Sequence, residues 1–116
     1  DPDGAPYMTI GSPGATRIFP TVVQVISHVI DHDMDIQEAI DTPRIFDNTA
    51  NTIGYESGEN GIDPEVLAAL EGLGHGLADR GEWAPYFGAV QAIVYQEDGT
   101  LRGGADPRRD GKALGY

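Results

Sequence analysis

The heptapeptide Gly11-Ser12-Pro13-Gly14-Ala15-Thr16-Arg17 constrains the fold of this chain more than any other stretch. A short apolar run, Tyr7-Met8-Thr9-Ile10, precedes it, and an apolar-periodic segment over residues 18–30 follows. That order dictates a strand, a tight glycine-bearing turn and a helix start, which gathers unpaired backbone N–H groups at one point. Such a nest binds negative charge, either a bound anion or an oxyanion that develops during a reaction.

Downstream, the pattern predicts alternating helices and short strands. Val22, Val23, Val25, Ile26, Val29 and Ile30 give the first helix a wide apolar surface, so it is expected to be well buried. Either Thr16 caps it, with Pro20 tolerated in the first turn, or it starts at Pro20. A second, short helix opens at Asp35, with Asp35 and Glu38 as a capping-box-like pair and Pro43 as its stop. Residues 44–47 and 52–56 read as strands joined by the turn Asn48-Thr49-Ala50-Asn51. Asp63-Pro64 starts a third helix that ends at Gly72 or Gly74. Residues 89–95 and 101–105 flank Glu97-Asp98-Gly99-Thr100, where Asp-Gly predicts a type I′ hairpin turn. Residues 79–88 read as irregular. Gly103-Gly104 marks either a bulge or a close backbone approach. Helices followed by antiparallel hairpins give an α+β expectation, with helices packed on one face of a sheet.

With 116 residues, the chain is expected to form a single domain over residues 1–116. A net charge of −12 argues against a nucleic-acid partner. Without cysteine there can be no disulfide, thiolate metal site or Cys nucleophile. No apolar run is long enough to span a membrane, and no basic-then-apolar leader is seen. Asp1-Pro2-Asp3-Gly4 reads as a hairpin turn, from which the chain is expected to begin inside something larger.

At Gly11-Ser12-Pro13-Gly14-Ala15-Thr16-Arg17-Ile18 the chain resembles the gamma-glutamyltransferase family, whose usual form here is Gly-Ser-Pro-Gly-Gly-Ser-Arg-Ile. The resemblance continues through Val25-Ile26, Val29-Ile30-Asp31, Gln37-Glu38-Ala39-Ile40 and Pro43-Arg44. It resumes at Gly74-His75, Gly88-Ala89-Val90-Gln91-Ala92-Ile93, Asp98-Gly99, Ala105-Asp106-Pro107-Arg108 and Gly115-Tyr116. The resemblance implies the C-terminal part of the small subunit of an N-terminal-nucleophile hydrolase, with a four-layer αββα sandwich. Such enzymes are precursors that cut themselves and so expose a threonine, which attacks a gamma-glutamyl amide and forms an acyl-enzyme. That threonine lies upstream in the family, so this chain is expected to be inactive alone. Its implied partners are a small gamma-glutamyl substrate and the rest of the same precursor, namely the large subunit and the N-terminal part of the small one. Neither a metal nor an organic cofactor enters this reading.

Carried over by resemblance, Gly14 and Ala15 match two adjacent glycines whose backbone N–H groups help form the oxyanion hole. Alanine keeps the N–H but resists positive φ, so Ala15 either holds an ordinary φ or marks a reshaped pocket. The competing class is a non-catalytic α+β module with a retained anion-binding turn. An upstream N-terminal threonine would discriminate the two.

Other signals read as structural. His28 and His32 sit four apart near Asp31, Asp33 and Asp35, but the remaining features of a hydrolytic zinc helix are missing. Thr9 and Thr16 lack a base, and Thr16 reads as a cap. The turn lacks the Lys-Ser/Thr ending of a P-loop. Arg17 reads as a structural ion pair in preference to a substrate contact. Trp83, Tyr86 and Phe87 either line an acyl-group pocket or form a satellite cluster under a loop. Asp106-Pro107-Arg108 reads as a turn that fixes the last strand, with Arg108 paired to a carboxylate.

Overall fold

β1 (Met8–Gly11) runs through the glycine turn and one 3-10 turn (Ala15–Arg17) directly into α1 (Ile18–Asp31). This computed structural model describes residues 3–47 and 49–115. The Asp1-Pro2 part of the expected first turn, Asn48 of the second and the terminal Tyr116 lie outside the described residues. α2 (Ile36–Asp41), β2 (Ile45–Asp47), β3 (Thr52–Tyr55) and α3 (Pro64–Gly72) follow. β4 (Gly76–Asp79), β5 (Gln91–Tyr95) and β6 (Leu101–Ala105) complete the order, with 3-10 turns at Pro85–Phe87 and Pro107–Arg109.

The strands form two three-stranded sheets, β1-β5-β6 and β2-β3-β4. The first is antiparallel throughout, with Ile10 opposite Ala92 and Ala92 opposite Gly104. Val90, Ala92 and Val94 point to one face and meet Val25 and Val29 of α1 and Ile36, Ala39 and Ile40 of α2. Truncating a side chain such as Ile40, which is 0% exposed, to alanine costs about 2–5 kcal/mol. A Cβ on Gly104 would lie 2.7 Å from Ile40 Cδ1 and 3.0 Å from Ile36 Cγ1. The strand pairing there is regular, so Gly103-Gly104 marks a close approach and not a bulge.

The helix layer thus covers one face of an antiparallel sheet, as the α+β reading requires. On the other face Ile93 and Leu101 stay 40% and 61% exposed. α1 is less buried than its composition predicts. Only Thr21, Val25 and Val29 are buried, while Phe19, Val23 and Ile30 are exposed. The reason is geometric: only the line at four-residue spacing meets the sheet and α2.

Asp35 caps α2 by accepting from Gln37 N–H at 3.0 Å, and Asp63 caps α3 by accepting from Glu65 N–H at 2.8 Å. Gly74, at φ +92°, closes the end of α3. None of α3's residues is buried. The helix connects β3 to β4, which lie parallel with Gly54 opposite Ala78. β4 was not legible: Gly76-Leu77-Ala78-Asp79 has no β-branched residue and exists as a strand only through its neighbour.

The final hairpin turn also differs from expectation. Type I′ needs positive φ at both central residues, and of Asp98 and Gly99 only Gly99 has it, at +85°. Gly99 N–H instead bonds Gln96 O at 3.0 Å and Gln96 N–H bonds Thr100 O at 2.9 Å. This is the longer loop in which glycine follows the turn as a bulge residue. Among the described residues no helix is long and apolar enough to cross a membrane.

Candidate active site

β1 ends where Gly11 pairs with Gln91, and the chain then reverses through Ser12-Pro13-Gly14. Gly14 has φ +145° and Ala15 has φ +51°. Ala15 therefore occupies the left-handed region, which costs an L-residue about 1–2 kcal/mol. The carbonyls of Gly14 and Ala15 accept from the N–H groups of Arg17 and Ile18. Their own N–H groups donate to no other described residue. Gly14 is half-buried and Ala15 exposed, so the two adjacent donors stand at an accessible edge. Chemically, the pair can stabilise a carbonyl oxygen that becomes anionic.

Two expectations about this turn are corrected. Thr16 caps nothing: it lies within the 3-10 turn, and Arg17 occupies the cap position of α1 without a side-chain bond. The 3-10 bonds continue straight into the helix and remove the need for a side-chain acceptor. Pro20 falls in the first turn of α1. Nor does Arg17 meet a carboxylate among the described residues. Its Nε donates to Tyr86 O at 2.5 Å, and its guanidinium lies 4.3 Å from the centroid of the Tyr86 ring.

The turn rests on the backbone of residues 84–90. Ser12 Oγ accepts from Ala89 N–H at 3.1 Å and donates to Pro13 O at 3.0 Å. Thr21 Oγ1 donates to Phe87 O at 2.8 Å. Gly88, at φ +89°, lies so close that a Cβ would fall 2.4 Å from Ser12 Oγ and 2.7 Å from Pro13 O. Only glycine satisfies both that φ and that contact.

The same segment is held from beneath by four buried charges. Arg44 pairs with Asp106 at 2.7 Å, and Arg108 pairs with Glu56 at 2.6 Å and with Asp106 at 3.2 Å. Glu56 Oε1 accepts from Ala84 N–H at 2.8 Å, and Asp106 Oδ2 accepts from Val90 N–H at 2.8 Å. Burial, then the nearby Arg108 charge, pulls the Arg44 pKa below the usual arginine value. Burial also opposes the charge on Arg108, but hydrogen bonding and the charges of Glu56 and Asp106 outweigh it and hold its pKa above that value. The expected turn at Asp106-Pro107-Arg108 is present, with Asp106 as its cap and Arg108 on carboxylates. Sequence reasoning missed the parts played by Glu56 and Arg44, which look like ordinary strand-end residues. The only signal was a charged residue at the edge of each strand, Arg44 before β2 and Glu56 after β3.

Tyr86 and Phe87 pack against their neighbours, whereas Trp83 borders an open cleft of about 430 Å³ with Asp41, Pro43 and Asn60. Tyr86 lies between Arg17 and Arg80, at 4.3 Å and 4.4 Å, and edge-on to Phe46 and Phe87. Trp83 sits 5.2 Å from the Arg108 guanidinium. A cleft of about 990 Å³ lies elsewhere, between the open sheet face and Lys112, Ala113 and Leu114. The His28 and His32 rings are 6.0 Å apart, and no group of three or more His, Cys, Asp or Glu among the described residues could hold a metal.

Comparison with known proteins bears on the whole chain. The gamma-glutamyltranspeptidase family pattern matches residues 1–116. A glutathione hydrolase proenzyme from Bacillus subtilis (strain 168) is 37% identical over 114 residues, covering 97% of this chain and 18% of that protein. An acylase ACY 1 proenzyme from Pseudomonas sp. (strain V22) is 38% identical over 109 residues, covering 94% of this chain and 18% of that one. The fold is similar to that of gamma-glutamyltranspeptidase from Pseudomonas nitroreducens complexed with L-DON, with a TM-score of 0.81 at 28% identity. That match covers 98% of this chain and 57% of the solved one. The chain therefore spans under a fifth of the length of these curated relatives. The α+β arrangement is that of the N-terminal-nucleophile hydrolases, as the resemblance implied.

Proposed function

The chain belongs to the gamma-glutamyltranspeptidase family, and from that premise we propose that it supplies the oxyanion-binding backbone of an enzyme that hydrolyses or transfers gamma-glutamyl groups. The observation that carries this reading is the pair of adjacent backbone N–H groups at Gly14 and Ala15, neither of which has an acceptor among the described residues. A threonine exposed at the start of the small subunit attacks the gamma-glutamyl amide carbonyl. The carbonyl oxygen becomes anionic as the carbon turns tetrahedral, and the Gly14 and Ala15 donors stabilise it. The amine then leaves, and water or an acceptor amine releases the glutamyl group from the acyl-enzyme. The names of the relatives, a glutathione hydrolase and an acylase, support amide bonds as the substrate class. The Ala15 side chain does not alter this chemistry, because the donor is backbone.

On this reading the 116-residue chain carries no nucleophile of its own and is silent. Incubation with a gamma-glutamyl anilide should release no aniline above a buffer blank, whereas the full-length, self-cleaved protein should turn the substrate over. Turnover by the short chain, or none by the mature protein, would overturn the proposal.

A further inference from the structure

Four separate hydrogen-bonding groups converge on the backbone that underlies the glycine turn. Ser12 accepts from Ala89 N–H, and Thr21, Arg17 and Arg44 donate to the carbonyls of Tyr86 or Phe87. Both ends of the same segment are pinned by carboxylates, Glu56 at Ala84 and Asp106 at Val90. Gly88 has no room for a side chain against Ser12 and Pro13, and a Cβ on Gly14 would sit 3.7 Å from Gly88 Cα. The turn is thus seated on a backbone template whose polar groups are almost all committed.

We propose that Ser12 and Thr21 are positioning residues, which set the Gly14 and Ala15 donors at the reacting oxygen by fixing the turn and the start of α1 to residues 86–89. This inference rests on the oxyanion reading above. Thr21 is well suited to the task. It is 2% exposed, lies on the first turns of α1, and donates to Phe87 O at 2.8 Å. Ser12 acts from the other side, through one hydroxyl that both accepts and donates. Oxyanion donors work only at the correct distance and angle, and a displacement of about 1 Å can cost on the order of 100-fold in rate. The oxygen's charge develops only in the transition state, so loosening the template should lower kcat and leave KM in place.

The test uses the full-length, self-cleaved enzyme with a gamma-glutamyl anilide. Ser12→Ala removes one hydroxyl, and Thr21→Val removes another at nearly constant volume, while Thr21→Ser keeps it. Each hydroxyl deletion should lower kcat about 10-fold or more with KM little changed, and Thr21→Ser should restore most of the rate. If Ser12→Ala fails to mature, the Thr21 pair decides alone. An unchanged kcat in either deletion, a rise in KM that accounts for the loss, or Thr21→Ser as slow as Thr21→Val would overturn the inference. Replacing the Ala15 N–H by an ester oxygen separates the two claims. A rate loss there beside silent Ser12 and Thr21 variants sinks only the positioning role. No loss there sinks the oxyanion reading and the positioning role together.

Discussion

Arg108 donates to both oxygens of Glu56, from Nε to Oε1 at 2.7 Å and from Nη2 to Oε2 at 2.6 Å, across 52 residues of sequence. The pair joins the end of β3 to the turn after β6 and so ties the two sheets together. Both side chains are almost fully buried, at 1% and 3% exposure. Glu56→Gln leaves Arg108 with less countercharge, and Arg108→Met leaves Glu56 and part of Asp106 unpaired. Loss of one partner from a buried pair costs about 3–5 kcal/mol, so either variant should lower the urea midpoint sharply. A shift within measurement error would contradict the structural role of the pair.

Ala15 holds φ +51°, where glycine is at ease and alanine is not. Ala15→Gly should therefore raise stability by up to about 1 kcal/mol, partly offset by the greater freedom of glycine in the unfolded chain. Turnover should persist, because the N–H remains. A clear fall in melting temperature would mean that the turn does not require positive φ.

Gly88→Ala tests the contact between the turn and its template. The new Cβ would meet Ser12 Oγ at 2.4 Å and Pro13 O at 2.7 Å, at a φ of +89°. Overpacking of this kind costs about 1–3 kcal/mol, with the backbone strain added. Both the urea midpoint and kcat should fall. Equal values for variant and parent would show that the approach is looser than described.

The turn and the helix that follows were legible because glycine, proline and a long apolar period fall side by side at residues 11–30. The caps Asp35 and Asp63 were legible for the same local reason. β4 was not, because Gly76-Leu77-Ala78-Asp79 gains its extended form from pairing with β3. Nor were the partners of Arg44 and Arg17. Sequence spacing says nothing about which distant carbonyl or carboxylate a guanidinium meets. The positive φ at Ala15 is likewise imposed by the tertiary seat of the turn, against the preference of the residue.

Asp98 gives a pH prediction. The Thr100 hydroxyl, at 2.6 Å, and then the Thr100 N–H, at 2.9 Å, hold its carboxyl below the usual carboxylate range. A carboxyl lowered on folding adds stability above its unfolded pKa and loses it as pH falls through the folded value. The β5–β6 loop should thus loosen only on the acid side. In an NMR carboxyl titration, Thr100→Ala should move the Asp98 midpoint upward. An unmoved midpoint would contradict the assignment of the shift to Thr100.

The most direct test concerns the Ala15 donor. Proline at this position is unsuitable because its ring fixes φ near −65°, far from the φ of +51° observed here. An α-hydroxy acid in place of Ala15 exchanges the N–H for an ester oxygen and leaves the side chain and turn intact. In the mature full-length enzyme, kcat for a gamma-glutamyl anilide should fall about 100- to 1,000-fold with KM nearly unchanged. A kcat equal to that of the parent would contradict the role of this turn in binding the oxyanion.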